Sequence, residues 1–272
     1  MILEKVLGCL MKKVTLYGYP TSPYVIKVGC FLKYKKIPFE YVPVNPVSPI
    51  EIKFTGQRQV PVLKIDQEWR KDSTHLGIWL DEIFPEKPLL GINQSDTNTI
   101  LLIDKWVSDN LILGKFRAAV EWENTWDALR NGWLLSRAVN HGTKIPFFVR
   151  ILWPFFVKRA KFIGDMILHL NTKESISAMR LRLCDEFIQH LRSGPFLGGR
   201  QQISLADLSA YMTIISSHLM GMHGESPFLK DPQIVDWCRR VQAELPNNPL
   251  LIADILIERE HVYNSSEVTS IS

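Results

Sequence analysis

The chain has 272 residues, 46% hydrophobic and 22% charged, which supplies apolar material for one large core or two modest ones. Its 32 basic and 28 acidic side chains leave a formal charge of +4, too small to mark a nucleic-acid binder, so no nucleic-acid partner is expected. Four cysteines, Cys9, Cys30, Cys184 and Cys238, stand apart without a Cys-x-x-Cys pair, which argues against a zinc finger and fits thiols in a reducing cytoplasm.

The opening MILEKVLGCLMKK is apolar only in short pieces. Glu4 and Lys5 interrupt it and no small-residue cleavage site follows, so residues 1–11 are expected as an extension and not a secretory signal. From there to about residue 90 the elements are short and alternate. Val14 to Tyr17 is β-branched and apolar; Pro23 to Lys36 has helical spacing through Val28, Phe31 and Leu32; Phe39 to Val44 alternates as a strand that Pro43 sends to a sheet edge. A short irregular helix at Ile50 to Phe54, a hairpin from Val62 to Ile65 and Glu68 to Lys71, and a helix from Ser73 to Phe84 complete this half.

Pro85, Pro88 and Gly91 mark a linker, after which the pattern is helical. Helices are expected at Ile100 to Leu113, Trp122 to Val139, a Pro-interrupted aromatic stretch from Ile145 to Phe162, Lys173 to Leu191, Leu205 to Met222, Gln233 to Glu244 and Leu250 to Glu260. The longest uncharged run, between Asp207 and Glu225, is shorter than the roughly 20 apolar residues of a spanning helix and reads as a buried core helix. The tail 263–272 is polar and expected to be disordered. The boundaries are therefore 12–90 for a mixed α+β domain and 98–262 for an all-helical one.

Few residues carry chemistry. Ser22 followed by Pro23 is a strong helix start, because proline at the first helical position loses no hydrogen bond and serine accepts one from an orphan N–H. The same hydroxyl, beside a helix N-terminus, can instead donate to a thiol sulfur and favour its thiolate. Asp72 and Ser73 precede an apolar helix as a plain cap, or hold a ligand carboxylate and ammonium there. Ser204 and Asp207, with Ile203 and Leu208 as a staple, form a capping box that reports fold and not chemistry. No histidine sits at a spacing useful for catalysis or metal binding, and no metal is expected.

Four segments together resemble the glutathione transferase superfamily: "VTLYGYPTSPYVIKV", "QVPVL", "KDSTHLGIWLDEIFP" and "GPFLGGRQQISLADLSAY". The resemblance implies a thioredoxin-like N-terminal domain followed by an all-α C-terminal domain, with glutathione as co-substrate and a homodimer as the working form. It implies Ser22 as the catalytic hydroxyl, with Tyr17 as the competitor, because tyrosine-type members place their hydroxyl near the end of the first strand. It assigns glutathione to Gln59, Val60, Pro61 with a cis bond, Asp72 and Ser73, and leaves Arg58 beside the glycyl end. A hydrophobic electrophile would lie against Trp106, Phe116 and Trp122.

Two further readings stand beside conjugation. "VNPVSPIEIKFTGQRQVPVL" and "KDST" are similar to the prostaglandin E synthase 2-like branch, whose isomerase members carry Cys-Pro-Phe-Cys where this chain has Ser22-Pro23-Tyr24-Val25. A transferase-like scaffold that binds a hydrophobic ligand or membrane without turnover is the other. Residues 128–164 lack Asp and Glu but interleave basic with aromatic side chains. They are expected to form amphipathic helices whose basic stems cover buried aromatics, with anionic lipid contact through 144–161 as the alternative.

Overall fold

A computed structural model of the chain describes residues 12–258 apart from 47, 169, 171, 172 and 223–225. The extension 1–11 and the tail 263–272 lie outside the described residues.

The first half is a four-stranded sheet in the order β2-β1-β3-β4, built from β1 (Val14–Gly18), β2 (Glu40–Pro43), β3 (Val62–Ile65) and β4 (Glu68–Lys71). β1 pairs parallel with β2 and antiparallel with β3, so Pro43 does lie on an edge strand, where a missing N–H disrupts no central ladder. Alternation along β1 sends Leu16 to the main core and Tyr17 to the opposite face. On the main face lie α1 (Pro23–Tyr34) and α2 (Ser73–Ile83), which bury Val28, Phe31, Leu32, Leu76 and Trp79. On the other face a 3-10 turn at Ile50–Thr55 closes a small cluster of Val44, Ile52 and Val62.

The second half holds α3 (Gln94–Trp106), α4 (Leu113–Val120), α5 (Thr125–Thr143), α6 (Phe147–Ile151), α7 (Trp153–Lys158), α8 (Lys161–Ile167), α9 (Ile176–Leu191), α10 (Leu205–Leu219) and α11 (Pro232–Ala243). A π turn, Val107–Ile112, joins α3 to α4. The first helix here begins six residues earlier than its apolar spacing indicates, because Asn93 caps it through Asp96 N. α5 departs from helical geometry at His141 and Gly142, where φ of 86° and a Pro43 ring that would lie 2.5 Å from any Cβ leave room for glycine alone.

The expected helix over Leu250 to Glu260 does not form. Residues 250–253 run without regular structure into a 3-10 turn at Asp254–Leu256, with Leu250, Leu251 and Ile252 buried. Tertiary contacts override propensity there: the Lys33 ammonium takes the carbonyls of Asn248 and Leu250, and Leu251 packs on Gly29 of α1.

One buried polar cluster lies inside the helical half, and a second crosses between the halves. The Asp207 carboxylate, at the start of α10, accepts from Ser204 N, Ser204 Oγ, Leu197 N and Trp237 Nε1 at 2.8–2.9 Å, which extends the expected capping box into a buried four-bond network. Lys27 of α1 and Asp104 of α3, each 1% exposed, form an ion pair of 2.7 Å across the domain boundary, and Thr74 of α2 donates to the same carboxylate at 2.6 Å. Removing one member of such a pair strands the other. Asp104→Ala is expected to cost about 3–5 kcal/mol in urea unfolding, and Lys27→Met with Asp104→Leu to recover most of it. An unchanged midpoint for the single variant would show that the pair does not hold the halves together.

Candidate functional site

Sheet register brings the candidate residues to one end of the first domain. Tyr17 lies opposite Val62, and Val62 opposite Lys71, so the loop after β1, the Val60-Pro61 turn before β3 and the Asp72-Ser73 turn after β4 emerge side by side. α1 and α2 both start at this end, so two sets of orphan N–H groups and two positive dipole ends face the same region.

Ser22 is half-buried immediately before Pro23, in extended conformation, with φ of −71° and ψ of 122°. Its carbonyl accepts from Val25 N and Ile26 N at 3.1 and 2.9 Å, and its N–H donates to Tyr19 O. The hydroxyl, contrary to the simple cap reading, makes no capping hydrogen bond. Main-chain groups start the helix and the side chain is left for other use. Gly18 fits because Val25 leaves only 2.4 Å for a Cβ, which draws the β1 end tight against α1.

Val60-Pro61 is cis. Val60 is half-buried and Pro61 buried, and Gln57 braces the preceding residue: its Oε1 accepts from Gln59 N and its Nε2 donates to Gln59 O. Gln57 escaped the sequence reading, and its two-residue spacing from Gln59 is the only trace it leaves there. Gln59 and Arg58 are exposed beside this turn.

Asp72 caps α2 with φ of 73°, in the region that asparagine, aspartate and glycine tolerate best and that concentrates at functional turns. Its Oδ1 accepts from Thr74 N and His75 N at 3.1 and 3.3 Å, while Oδ2 makes no hydrogen bond among the described residues. Ser73, the first helical residue, is buried. Tyr24, the second residue of α1, has its hydroxyl pushed up to about 12 by burial, with the Asp109, Asp72 and Asp104 carboxylates adding to the effect. Tyr17 lies on the sheet face that carries the Ile50–Thr55 turn, its ring 5.4 Å from that of Phe54. Burial raises the pKa of its hydroxyl, with Glu40 adding and Lys13 opposing.

A cavity of about 320 Å³ opens beside Ser22, whose neighbours Thr21 and Pro23 form part of its wall. α4, α5, α7, α9, α10 and the segments flanking them supply the remainder, including Phe116, Trp122, Leu135, Pro154, Leu183 and Met220. Two of the three expected pocket aromatics are therefore present. Trp106 is not: its Nε1 donates to Glu186 at 2.7 Å and its ring meets that of His190 at a tilt, centroids 4.5 Å apart, toward α9. The intervening π turn rotates α4 relative to α3, a phase shift that a 3.6-residue spacing does not anticipate. A more open depression of about 450 Å³ near Arg117 and Glu174 has its charges engaged, Arg117 with Glu121 at 3.0 Å and Glu174 with Arg182.

The cavity also holds Lys115, half-buried, whose Nζ donates to Ser216 Oγ at 2.9 Å. Burial pulls its pKa down from 10.5 to about 7. The Cys30 thiol, fully buried in α1, is pushed up to about 12 and is inert by comparison. Among the described residues no His, Cys, Asp and Glu group could hold a metal ion, and no helix is long and apolar enough to cross a membrane.

Between about pH 7 and 10.5 the unfolded chain binds the Lys115 proton and the folded chain does not, so this group makes stability rise with pH across that window. Lys115→Met is expected to flatten the rise and to lift the urea midpoint at pH 7 above wild type. Identical pH slopes in the two proteins would show that the amine is solvated.

Residues 16–88 match the family model described as glutathione S-transferase, N-terminal domain. Prostaglandin E synthase 2 of Mus musculus is 24% identical over 279 residues, covering 87% of this chain and 71% of the mouse protein. Among solved structures, glutathione transferase Omega 3C of Trametes versicolor superposes with a TM-score of 0.58 at 15% identity, covering 96% of this chain and 97% of that one. Human glutathione transferase theta-2, solved with glutathione, gives 0.57 at 20% identity, covering 87% and 84%. At these identities the solved structures establish the fold alone: residues 16–88 carry the glutathione S-transferase N-terminal domain, and the chain as a whole has the glutathione transferase fold.

Proposed function

We propose that the protein is a glutathione transferase in which Ser22 stabilises the glutathione thiolate for attack on a hydrophobic electrophile. The observation that carries this reading is the uncommitted Ser22 hydroxyl at the α1 N-terminus, at the same sheet end as the Val60-Pro61 and Asp72-Ser73 turns and beside an apolar cavity. Asp72 Oδ2 is available to the γ-glutamyl ammonium, and the Ser73 hydroxyl and backbone N–H to its carboxylate. Val60 pairs with the cysteinyl backbone, and Gln59 with Arg58 flanks the glycyl end. The sulfur then lies at Ser22, where a donated hydrogen bond and the helix end favour the thiolate, and the cavity holds the electrophile against it. Tyr17 serves as a core aromatic in this reading. A reducing cytoplasm and a homodimer belong to the same proposal.

Thiol exchange and the isomerase chemistry suggested by the mouse relative's name are disfavoured, because Ser22 and Val25 supply no thiol at the positions where that branch carries cysteine. Ser22→Ala is expected to lower kcat/KM for a neutral aryl halide roughly tenfold for each unit by which the bound thiol's pKa returns toward its free value of about 8.5. The pH profile of kcat/KM should move upward with it, while binding to immobilised glutathione persists. Unchanged kinetics would remove Ser22 from the role, and a wild-type protein that ignores both resin and aryl halide would favour the scaffold reading.

A membrane-surface reading has separate support. The expected burial of the aromatic stretch does not occur: Phe147 and Phe148 are each 64% exposed, Phe156 51% and Phe155 43%, with Ile151 and Leu152 between them. Lys144, Lys158, Arg159 and Lys161 are exposed in the same segment, a composition suited to an anionic interface. Vesicles containing phosphatidylserine are expected to float the wild-type chain. Reversing charge at Lys158 and Arg159 should release it, and co-flotation with neutral vesicles alone would argue against an electrostatic component.

A further inference from the structure

Lysines turn inward in unlike ways: Lys27 and Lys35 are buried, Lys35 paired with Asp81 at 2.7 Å, and Lys115 is half-buried. Lys27 meets Asp104 at 2.7 Å and is part of the structure. Lys115 meets no carboxylate: Ser216 Oγ is its one hydrogen-bond partner among the described residues. Among the described residues no aspartate or glutamate lines the cavity that it enters. The other basic groups in that wall are Arg180, 39% exposed and 4.0 Å from Glu123, and His218 of α10. Asn131, on the α5 wall, adds a buried Oδ1 without a hydrogen-bond partner among the described residues. The remaining lining is largely apolar, with Leu111, Phe116, Leu183, Met220 and Phe228 among it. An apolar chamber whose interior polar donor lacks an anion is an incomplete ion pair. A partly desolvated ammonium with no carboxylate partner among the described residues is also a liability to folding, which a purely structural role would have replaced by methionine or leucine at little cost in volume.

We propose that the cavity is selective for an amphiphilic carboxylic acid, whose carboxylate is received by Lys115 Nζ and by the hydroxyl of Ser216 while its hydrocarbon or aromatic body fills the chamber toward Thr21 and Pro23. Ser216 accepts from Lys115 through one lone pair and donates its own proton to the carboxylate, so every polar atom of the pair is satisfied on binding. The carboxylate also holds the ammonium in its charged form, which burial alone disfavours. The opposite end of the ligand then lies near the Ser22 loop, so the reacting carbon of the co-substrate is remote from its acid group. The identification of the acid as co-substrate rests on the transferase reading above; its binding does not.

Titration calorimetry on the full chain at pH 7 with decanoate and decanol tests the proposal. Both share the hydrocarbon body, and only the acid can complete the pair. A charge-assisted bond in a desolvated site predicts decanoate binding roughly tenfold or more tighter than decanol. Lys115→Met should equalise the two while leaving decanol binding in place; Lys115→Gln serves if the methionine variant does not fold. Equal affinities in wild type, or an acid preference that survives both substitutions, overturns the proposal; the second result assigns acid binding to the exposed basic face. Retention on immobilised glutathione is measured in parallel. Acid preference without retention removes the transferase reading and leaves this site, and retention without acid preference does the reverse.

Discussion

The ion pair between Lys27 and Asp104 is the constraint from which the site's geometry follows. It joins α1 to α3, and Thr74 ties the start of α2 to the same carboxylate, so three helices from both halves are fixed by one buried cluster. Thr74 is two residues from Asp72, and Lys27 lies one helical turn beyond Ser22 and Pro23. Both turns proposed to bind ligand are therefore fastened within a few residues of the same anchor. A buried pair contributes little net stability against an apolar replacement, so its value lies in specifying one arrangement of the halves over nearby ones. Apolar packing between α1 and α10 supplies the bulk of the adhesion, and the pair sets its register.

The start of α1 shows stability and chemistry separating at one residue. A serine cap is worth about 1 kcal/mol where its hydroxyl bonds the first turn. Ser22 leaves that bond unmade while its carbonyl and the following proline carry the helix start. At Asp72 the division is made within one carboxylate, with Oδ1 used for capping and Oδ2 left outward. In each case the fold uses the backbone or half of a side chain and leaves a polar group at a helix N-terminus without a capping bond.

The sequence made the first half legible because its elements are short and bounded by strong local signals. Pro43 at an edge, Pro23 at a helix start and the hairpin limits at Val62, Ile65, Glu68 and Lys71 depend on backbone chemistry that acts over a few residues. The second half was legible as helical but not in its phases. Trp106 and Phe116 look like one aromatic face until the π turn separates them. Leu250 to Ile252 carry a helical spacing that contacts from Lys33 and Gly29 overrule, and those partners lie more than 200 residues away in the chain. Lys115 was invisible for a related reason: a lysine in an amphipathic helix ordinarily faces water, and only the closure of α5, α7 and α10 around it converts it into a desolvated amine.

The aromatic face and the cavity share a wall, which links the two halves of the functional argument. Phe155 packs on Trp122 at 5.5 Å and the Lys158 ammonium sits 4.3 Å from the same ring, while Pro154 and Val157 of α7 line the cavity interior. α7 is six residues long and turns only Pro154 fully inward, so its outer aromatics are held by few contacts and its inner side is the chamber itself. Gly132 of α5 permits this approach, since a Cβ there would lie 2.2 Å from the Pro154 ring. Any larger residue at position 132 would push α7 outward and open the chamber to solvent, which would re-solvate Lys115. The close contact between a glycine and a proline thus controls both how α7 presents its phenylalanines and how dry the lysine behind it remains.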